Sequence, residues 1–122
     1  MSNYLARKRF IAFCLSLPFS YEDYPFDDFT DPGAWTVMRH QQNRKSFAFI
    51  YERGGKLCIN LKANPLDADF LRASFEAITP AYHMNKTHWI TVLVGVDARS
   101  ELIEELIRHS FNLTKPKKPR RT

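Results

Sequence analysis

The sequence predicts a single α+β domain, with a largely antiparallel β-sheet and helices on one face, in the order α-β-β-β-α-β-α. Three observations support this prediction. The chain has 122 residues, a length typical of one domain. Three strand-like segments follow one another without an intervening helix, which favours antiparallel pairing. Three further segments have the apolar spacing of helices that bury one side.

The three helices are predicted from their caps and apolar stripes. Ser2 or Asn3 can cap the first, and Pro18 ends it because proline cannot continue a helix. The second begins where Asn64 can act as N-cap and Pro65 occupies the first helical position. The first two helices are predicted at 3–17 and at 65 to about 76. The third is predicted to begin with Asp97 or Ser100 as its cap and to end at residue 110. The expected buried stripes are Phe10, Ile11, Cys14 and Leu15, then Leu66, Phe70, Leu71, Ser74 and Phe75, then Leu102, Ile103, Leu106 and Ile107.

The strands are predicted from alternation and from turn residues between them. Gly54-Gly55 lies between the second and third strands at the spacing of a hairpin turn. In the third strand polar and apolar residues alternate, which places Lys56 and Lys62 on the face away from the apolar row. We expect that face to be at least partly wet. The predicted strands are 35–39, 46–51, 56–62 and 89–94, with irregular connections at 18–34 and 78–86.

Charge is unevenly distributed along the chain. The formal net charge is +5, but residues 115–121 alone carry five basic and no acidic side chains. Residues 1–114 therefore hold thirteen basic and thirteen acidic groups, and we predict one neutral domain followed by a basic, disordered tail at 115–122. Within the domain, 18–34 holds only acidic charges, whereas 35–96 holds eight basic against four acidic groups. Such local patches decide partners more than totals do.

Motifs of the common enzyme classes do not occur in the sequence. There is no Gly-rich phosphate loop and no nucleophile elbow. Cys14 and Cys58 are far apart and have no His at ligand spacing, which indicates free thiols in a reducing compartment. The apolar segment that follows Arg7-Lys8-Arg9 is too short to span a bilayer and precedes no cleavage site. We therefore expect a cytoplasmic protein that is not an enzyme, binds no cofactor and does not bind a membrane.

The densest polar segment is residues 80–89, PAYHMNKTHW. His83 and His88 are five positions apart, which fits neither one face of a helix nor one face of a strand. No third ligand is nearby, so the spacing does not indicate a metal site. In a structural interpretation, Asn85 and Lys86 form a turn and the following residues lead into the last strand. In a functional interpretation, the same side chains bind a ligand.

Extended to Val92, this segment reads P-x-x-H-M-N-K-x-H-W-x-T-V and resembles the hallmark of the YjbR/MmcQ family. Similar features are residues 55–62, Leu17-Pro18 with Glu22 and Pro25-Phe26, and the helix end His109-Ser110-Phe111. The resemblance covers about residues 4–113. It implies a two-layer CyaY-like fold with two β-hairpin wings that bind DNA.

In the first functional hypothesis a monomer binds DNA. Lysine and arginine contact phosphates, Asn85 contacts a phosphate or a base edge, and an exposed Trp89 stacks on an unpaired base. The candidate binding residues are Arg39, Arg44, Lys45, Lys56, Lys62, His83, Asn85, Lys86, His88 and Trp89.

In the second hypothesis a protein partner docks on the acidic aromatic loop 19–31 or on the sheet face. The competing interpretation is that the aromatic residues of this loop only plug the core. They are Phe19, Tyr21, Tyr24, Phe26 and Phe29. A hard cation such as iron on the acidic run is disfavoured, because Pro25 interrupts it and spreads the carboxylates along a loop.

Overall fold

The computed structural model describes residues 2–26 and 34–117. The predictions for Asp27, Asp28, Phe29 and Asp31, and for the tail beyond Lys117, lie outside the described residues. Over the described part, three helices and a six-stranded antiparallel sheet confirm the α+β prediction. In chain order the elements are α1 (Asn3–Ser16), β1 (Ser20–Asp23), β2 (Thr36–His40), β3 (Ser46–Arg53), β4 (Lys56–Lys62), α2 (Pro65–Ser74), β5 (Ile78–Pro80), β6 (Trp89–Leu93) and α3 (Ser100–Thr114).

The sheet has the strand order β1-β2-β3-β4-β6-β5, and every neighbouring pair is antiparallel. The β3–β4 turn forms at Gly54 and Gly55 as predicted, with φ angles of 58° and 77°. Two successive positive φ angles match the turn that fits the twist of a tight hairpin. Strand β4 has the predicted bounds, and β2, β3 and β6 differ from theirs by one or two residues.

Strands β1 and β5 were not expected, because their ranges were predicted to be irregular. Both are short strands at the two edges of the sheet. Strand β1 pairs Ser20 with His40, and β5 pairs Ile78 with Val92. Neither segment has the apolar alternation of a half-buried strand, and Pro80 is compatible only with an edge position. Backbone pairing with a distant neighbour, rather than side-chain pattern, makes these residues strands.

The helices cover one face of the sheet, where the hydrophobic core lies. Register aligns Ile50, Ile59 and Val92 across β3, β4 and β6, and all three are buried in this core. Helix α3 contributes Ile103 and Ile107, which lie one helical turn apart. Burial of each such side chain contributes about 1.5–3 kcal/mol.

Four residues of the predicted stripes, Ser74 among them, lie on the exposed side of their helices. Leu66 and Phe70 are 80% and 69% exposed, and Leu15 is 42% exposed. In α2 the buried residues are Ala68 and Leu71. The helix lies beside the edge strand β5, so it buries only a narrow stripe, and small Ala68 allows that close approach.

The caps are partly as predicted. Ser2 caps α1 by accepting from the Leu5 N–H, and Asn64 caps α2 by accepting from the Leu66 N–H. Neither Asp97 nor Ser100 caps α3, whose N-cap residue is Arg99. The Asp97 carboxylate instead accepts the N–H groups of residues 76 and 77 at 2.9 and 2.8 Å. It thereby fixes the turn between α2 and β5.

Candidate nucleic-acid interface

The face of the sheet opposite the helices, here called the outer face, carries the second set of alternating side chains. On β4 these are Lys56, Cys58, Asn60 and Lys62. The expectation of a wet face is wrong for the middle of the strand, where Cys58 and Asn60 are only 2% and 0% exposed. Aromatic side chains cover this part, since the ring of Trp35 stacks on that of Tyr51 with 3.9 Å between centroids.

Asn60 is the centre of a buried hydrogen-bond network on the outer face. Its Oδ1 accepts from the Tyr51 and Thr91 hydroxyls, each at 2.7 Å, and its Nδ2 donates to the Tyr82 carbonyl at 2.9 Å. Burial raises the pKa of Tyr51 to about 12, so its hydroxyl remains a donor. Thr91 also accepts the Tyr82 N–H at 2.9 Å.

This network ties the start of the polar motif to the sheet, and sequence reasoning missed it. The available signal was a single asparagine in the middle of a strand, between apolar neighbours. A buried amide at such a position needs several partners.

Asn85 organises the turn before β6. Its Oδ1 accepts from the N–H groups of Thr87 and His88 at 2.8 and 3.1 Å, and its carbonyl accepts the Trp89 N–H at 3.0 Å. This is the arrangement that the structural interpretation predicts. The side-chain oxygen of Asn85 is therefore committed within the chain.

The aromatic members of the motif differ in exposure. Trp89 is half-buried, with its ring edge-on to Phe49 at 5.8 Å, and does not have the exposed ring expected of it. His83 and His88 are exposed. His83 has a φ of 61° and packs its ring against Tyr82 at 3.9 Å.

Sheet topology brings several of the candidate basic residues to one end of the molecule. At this end β2 and β4 finish and β3 and β6 begin, so Arg44 and Lys45 of the β2–β3 turn lie at the same end as Lys62. Helix α3 also ends here, because the Thr114 carbonyl accepts from Asn43 at 3.0 Å. We call this the basic end, defined by Arg44, Lys45, Lys62, Lys115 and Lys117.

Not all the candidates meet there. Lys56 lies at the opposite end of β4, about 20 Å from Lys62 at a rise of about 3.3 Å per residue. His83, Asn85 and Lys86 lie in the loop that connects β5 and β6 across the outer face. His88 and Trp89 lie at the basic end, because Trp89 pairs with Lys62 and the His88 carbonyl accepts the Ala63 N–H at 2.9 Å. The structure thus divides the ten candidates among two ends of the sheet and one loop.

The cations of the basic end and the neighbouring Arg39 differ in whether other groups of the chain bind them. Arg39 is occupied, since it donates to Asp23 at 2.8 Å and to the Arg44 carbonyl at 3.0 Å, and so braces the turn. Arg44, Lys45 and Lys62 form no ion pair with any acidic side chain in residues 2–26 and 34–117. Their charges are thus available to an anion.

The two thiols are not arranged for nucleophilic chemistry. Burial raises the pKa of Cys14 to about 12 and also raises that of Cys58. Neither is therefore a thiolate near neutral pH. In the described part of the chain, no three His, Cys, Asp or Glu side chains gather as metal ligands would, and no helix is long and apolar enough to cross a membrane.

Comparison with known proteins gives consistent matches. The YjbR family profile matches residues 15–113. YyaQ of Bacillus subtilis is 36% identical over a 104-residue alignment that covers 76% of this chain and 84% of YyaQ. YbdF of Escherichia coli O157:H7 is 39% identical over 69 residues, and this match covers 57% of each chain.

Two solved structures extend the comparison to the fold. A crystal structure of a Pseudomonas syringae protein has a TM-score of 0.77 at 34% identity, covering 89% of this chain and 98% of that one. A Deinococcus radiodurans protein has a TM-score of 0.74 at 31% identity, covering 88% and 76%. The architecture is thus shared over most of the length of these chains.

Proposed function

We propose that this chain, which belongs to the YjbR family, is a DNA-binding protein without catalytic activity that contacts phosphates through its basic end. The observation that carries the proposal is the convergence of Arg44, Lys45 and Lys62 with the start of the basic tail. In this proposal the β2–β3 hairpin acts as a wing, with two cations at its tip. The protein acts as a cytoplasmic monomer.

The proposed contacts are electrostatic. Lysine and arginine side chains that neutralise phosphates release bound counterions, so log K falls with log salt by about 0.9 for each phosphate on duplex DNA. Arg39 is a positioning residue, because its guanidinium holds the Arg44 carbonyl and Ser46 in the turn. Asn85 and Trp89 are engaged within the chain, which leaves His83, Lys86 and His88 as the exposed side chains of the motif that add contacts.

The test compares binding of a labelled duplex by anisotropy over a series of salt concentrations. One full-length variant carries Arg44→Asn, Lys45→Ala and Lys62→Ala. Asparagine is chosen because it tolerates the left-handed φ of 61° at Arg44. We expect the removal of each cation to lower the affinity roughly tenfold at about 0.1 M salt, and the salt dependence to become shallower.

Two further variants serve as controls. Lys8→Ala, Lys56→Ala and Arg99→Ala together remove the same charge from exposed positions away from the basic end, and should leave the affinity near wild type. A full-length chain with the five basic residues of 115–121 changed to glutamine tests the tail. If this last variant loses all binding while the first binds normally, the tail alone binds DNA and the proposal is wrong.

One observation favours a second candidate, a protein-interaction module. Tyr24 and Phe26 are 43% and 64% exposed, so they do not plug the core in the way the structural interpretation of their loop expected. Aromatic side chains are enriched at protein interfaces. A partner that is retained after nuclease treatment, and no longer retained by a Tyr24→Ser and Phe26→Ser variant, would support this function. Loss of the partner on nuclease treatment would argue against it.

A further inference from the structure

Phe19, between α1 and β1, has an unusual conformation for an exposed aromatic residue. Its φ is 55°, in the left-handed region that bulky side chains rarely adopt, and it is 66% exposed. Such a conformation persists only where the surroundings impose it. Neither burial of the ring nor local preference explains why a phenylalanine occupies this position.

The backbone around Phe19 is firmly held. Its carbonyl accepts the Gln41 N–H at 2.8 Å, and the Ser20 hydroxyl lies within 2.9 Å of the carbonyls of Cys14 and Leu17. Gln41 belongs to the β2–β3 turn, which also carries Arg44 and Lys45. The backbone that carries this exposed ring is therefore held against the β2–β3 turn, at the basic end.

The ring borders a groove of about 490 Å³, within the size range of small-ligand sites. Its walls combine apolar side chains with cations: Leu17, Phe19, Phe111, Arg108 and Lys115. His40 also contributes, and it is buried against Phe111 at 4.5 Å. The combination suits a ligand that has a flat apolar part and a nearby negative charge.

We propose that Phe19 is a stacking platform for an unpaired nucleic-acid base, with the adjacent phosphates on Lys115 and on the β2–β3 turn. This inference rests on the proposed function and names its preferred ligand as a single strand. Bases inside a duplex are stacked on one another and cannot reach a protein ring, whereas every unpaired base offers a flat face. Phe19 thus takes the role that the sequence assigned to Trp89, whose ring is half-buried.

The test measures binding of the full-length protein to four probes: a short oligo(dT), the corresponding oligo(rU), an abasic strand of equal length and a duplex. Phe19→Gly removes the ring and suits the backbone conformation. We expect it to weaken oligo(dT) and oligo(rU) binding by at least about fivefold, the lower limit for one stacked base. Its binding to the abasic strand and to the duplex should be unchanged.

Two variants make the result specific to this ring. Phe19→Trp keeps a stacking surface and should retain oligo(dT) affinity. Phe70→Ala removes a phenylalanine of similar exposure from α2 and should have no effect. Equal weakening of all four probes by Phe19→Gly, or no weakening of any, would overturn the stacking role.

The possible failures are distinguishable. If the wild type binds duplex and abasic strands, and Phe19→Gly changes nothing, the stacking role fails while the proposed function stands. If the wild type binds none of the four probes, the proposed function fails as well. Capture of a protein partner by the wild type but not by Phe19→Gly would then identify Phe19 as part of a protein surface.

Discussion

Two asparagines hold the polar motif in place from opposite sides. Asn60 is fully buried and fixes Tyr82 through its side-chain amide, and Asn85 fixes the N–H groups that follow it. Removal of the Asn60 side chain leaves buried hydroxyl groups without their acceptor, which is costly. Removal of the Asn85 side chain leaves two backbone N–H groups of an exposed turn without theirs, which costs less. The two asparagines thus stabilise the fold of the motif. We expect the cations near the motif, rather than the asparagines, to bind a ligand.

Asn85 provides a test of this structural role. Asn85→Ala removes the acceptor of two backbone N–H groups and should lower the free energy of unfolding by about 1 kcal/mol. Asn85→Asp keeps an acceptor at the same position and should recover most of the loss. The measurement is urea denaturation, with Lys86→Ala as a neighbouring control that changes stability by less than about 0.5 kcal/mol. If Asn85→Ala is as stable as the wild type, the Asn85 side chain does not stabilise this turn.

At the scale of elements, α2 shows how a helix can bury the opposite side from the one its large apolar residues suggest. Leu66 and Phe70 are four residues apart and share a face, but that face is exposed. The core contacts come from Ala68 and Leu71 on the other side. Position beside an edge strand limits how much of the helix can be buried.

We therefore expect Leu66→Gln and Phe70→Gln to change the free energy of unfolding by less than about 0.5 kcal/mol each. Ile107→Ala, on the buried face of α3, should cost about 2–5 kcal/mol by the same denaturation assay. A destabilisation by Phe70→Gln comparable to that by Ile107→Ala would mean that α2 buries this face.

The elements that could be predicted from the sequence are those with local signals. Caps at Ser2 and Asn64 and alternation in β4 act over a few residues, so helix starts and central strands are correctly placed. Strands β1 and β5 depend on pairing with residues far away in the sequence. Periodicity also leaves two candidate faces for α2, and only the tertiary structure selects between them.

In the candidate site, too, local features could be predicted from the sequence and long-range arrangement could not. Basic residues are visible in the sequence, but only strand order places Lys62 at the same end of the sheet as Arg44 and separates both from Lys56. The left-handed backbone of Phe19 has no sequence signal, because phenylalanine is a poor predictor of that conformation. Sequence reasoning therefore found the charges and the motif, but not their arrangement.

At the scale of the whole molecule, His40 joins the sheet to the last helix at the basic end. It is 2% exposed and packs between Phe47 and Phe111. Its Nε2 lies 2.8 Å from Thr114 Oγ1, and the Thr114 hydroxyl also lies 2.8 Å from the Ser110 carbonyl. If the threonine donates to this carbonyl, its oxygen accepts from a neutral histidine. This contact between His40 and Thr114 holds the start of the tail against the β2–β3 turn.

Burial of His40 in this contact makes folding stability depend on pH. Burial lowers the pKa of His40 from its ordinary value of 6.5, and Lys115 lowers it further, while a hydrogen bond with the Phe111 backbone opposes them. The unfolded chain therefore binds the proton at higher pH than the folded chain does. The contribution of His40 is fully present above about pH 6.5 and is lost as the pH falls below that value towards the folded-state pKa.

The measurement is the urea midpoint between pH 7 and pH 5 at constant ionic strength. The wild-type midpoint should fall on acidification, and His40→Gln should flatten that fall, because glutamine keeps a donor for Thr114 without titrating. His83→Gln changes an exposed histidine and should leave the slope as in the wild type. Equal slopes in the wild type and His40→Gln would show that other groups set the pH dependence. A flattened slope would show that protonation of His40, which lines the Phe19 groove and contacts Thr114 at the end of α3, destabilises the folded state.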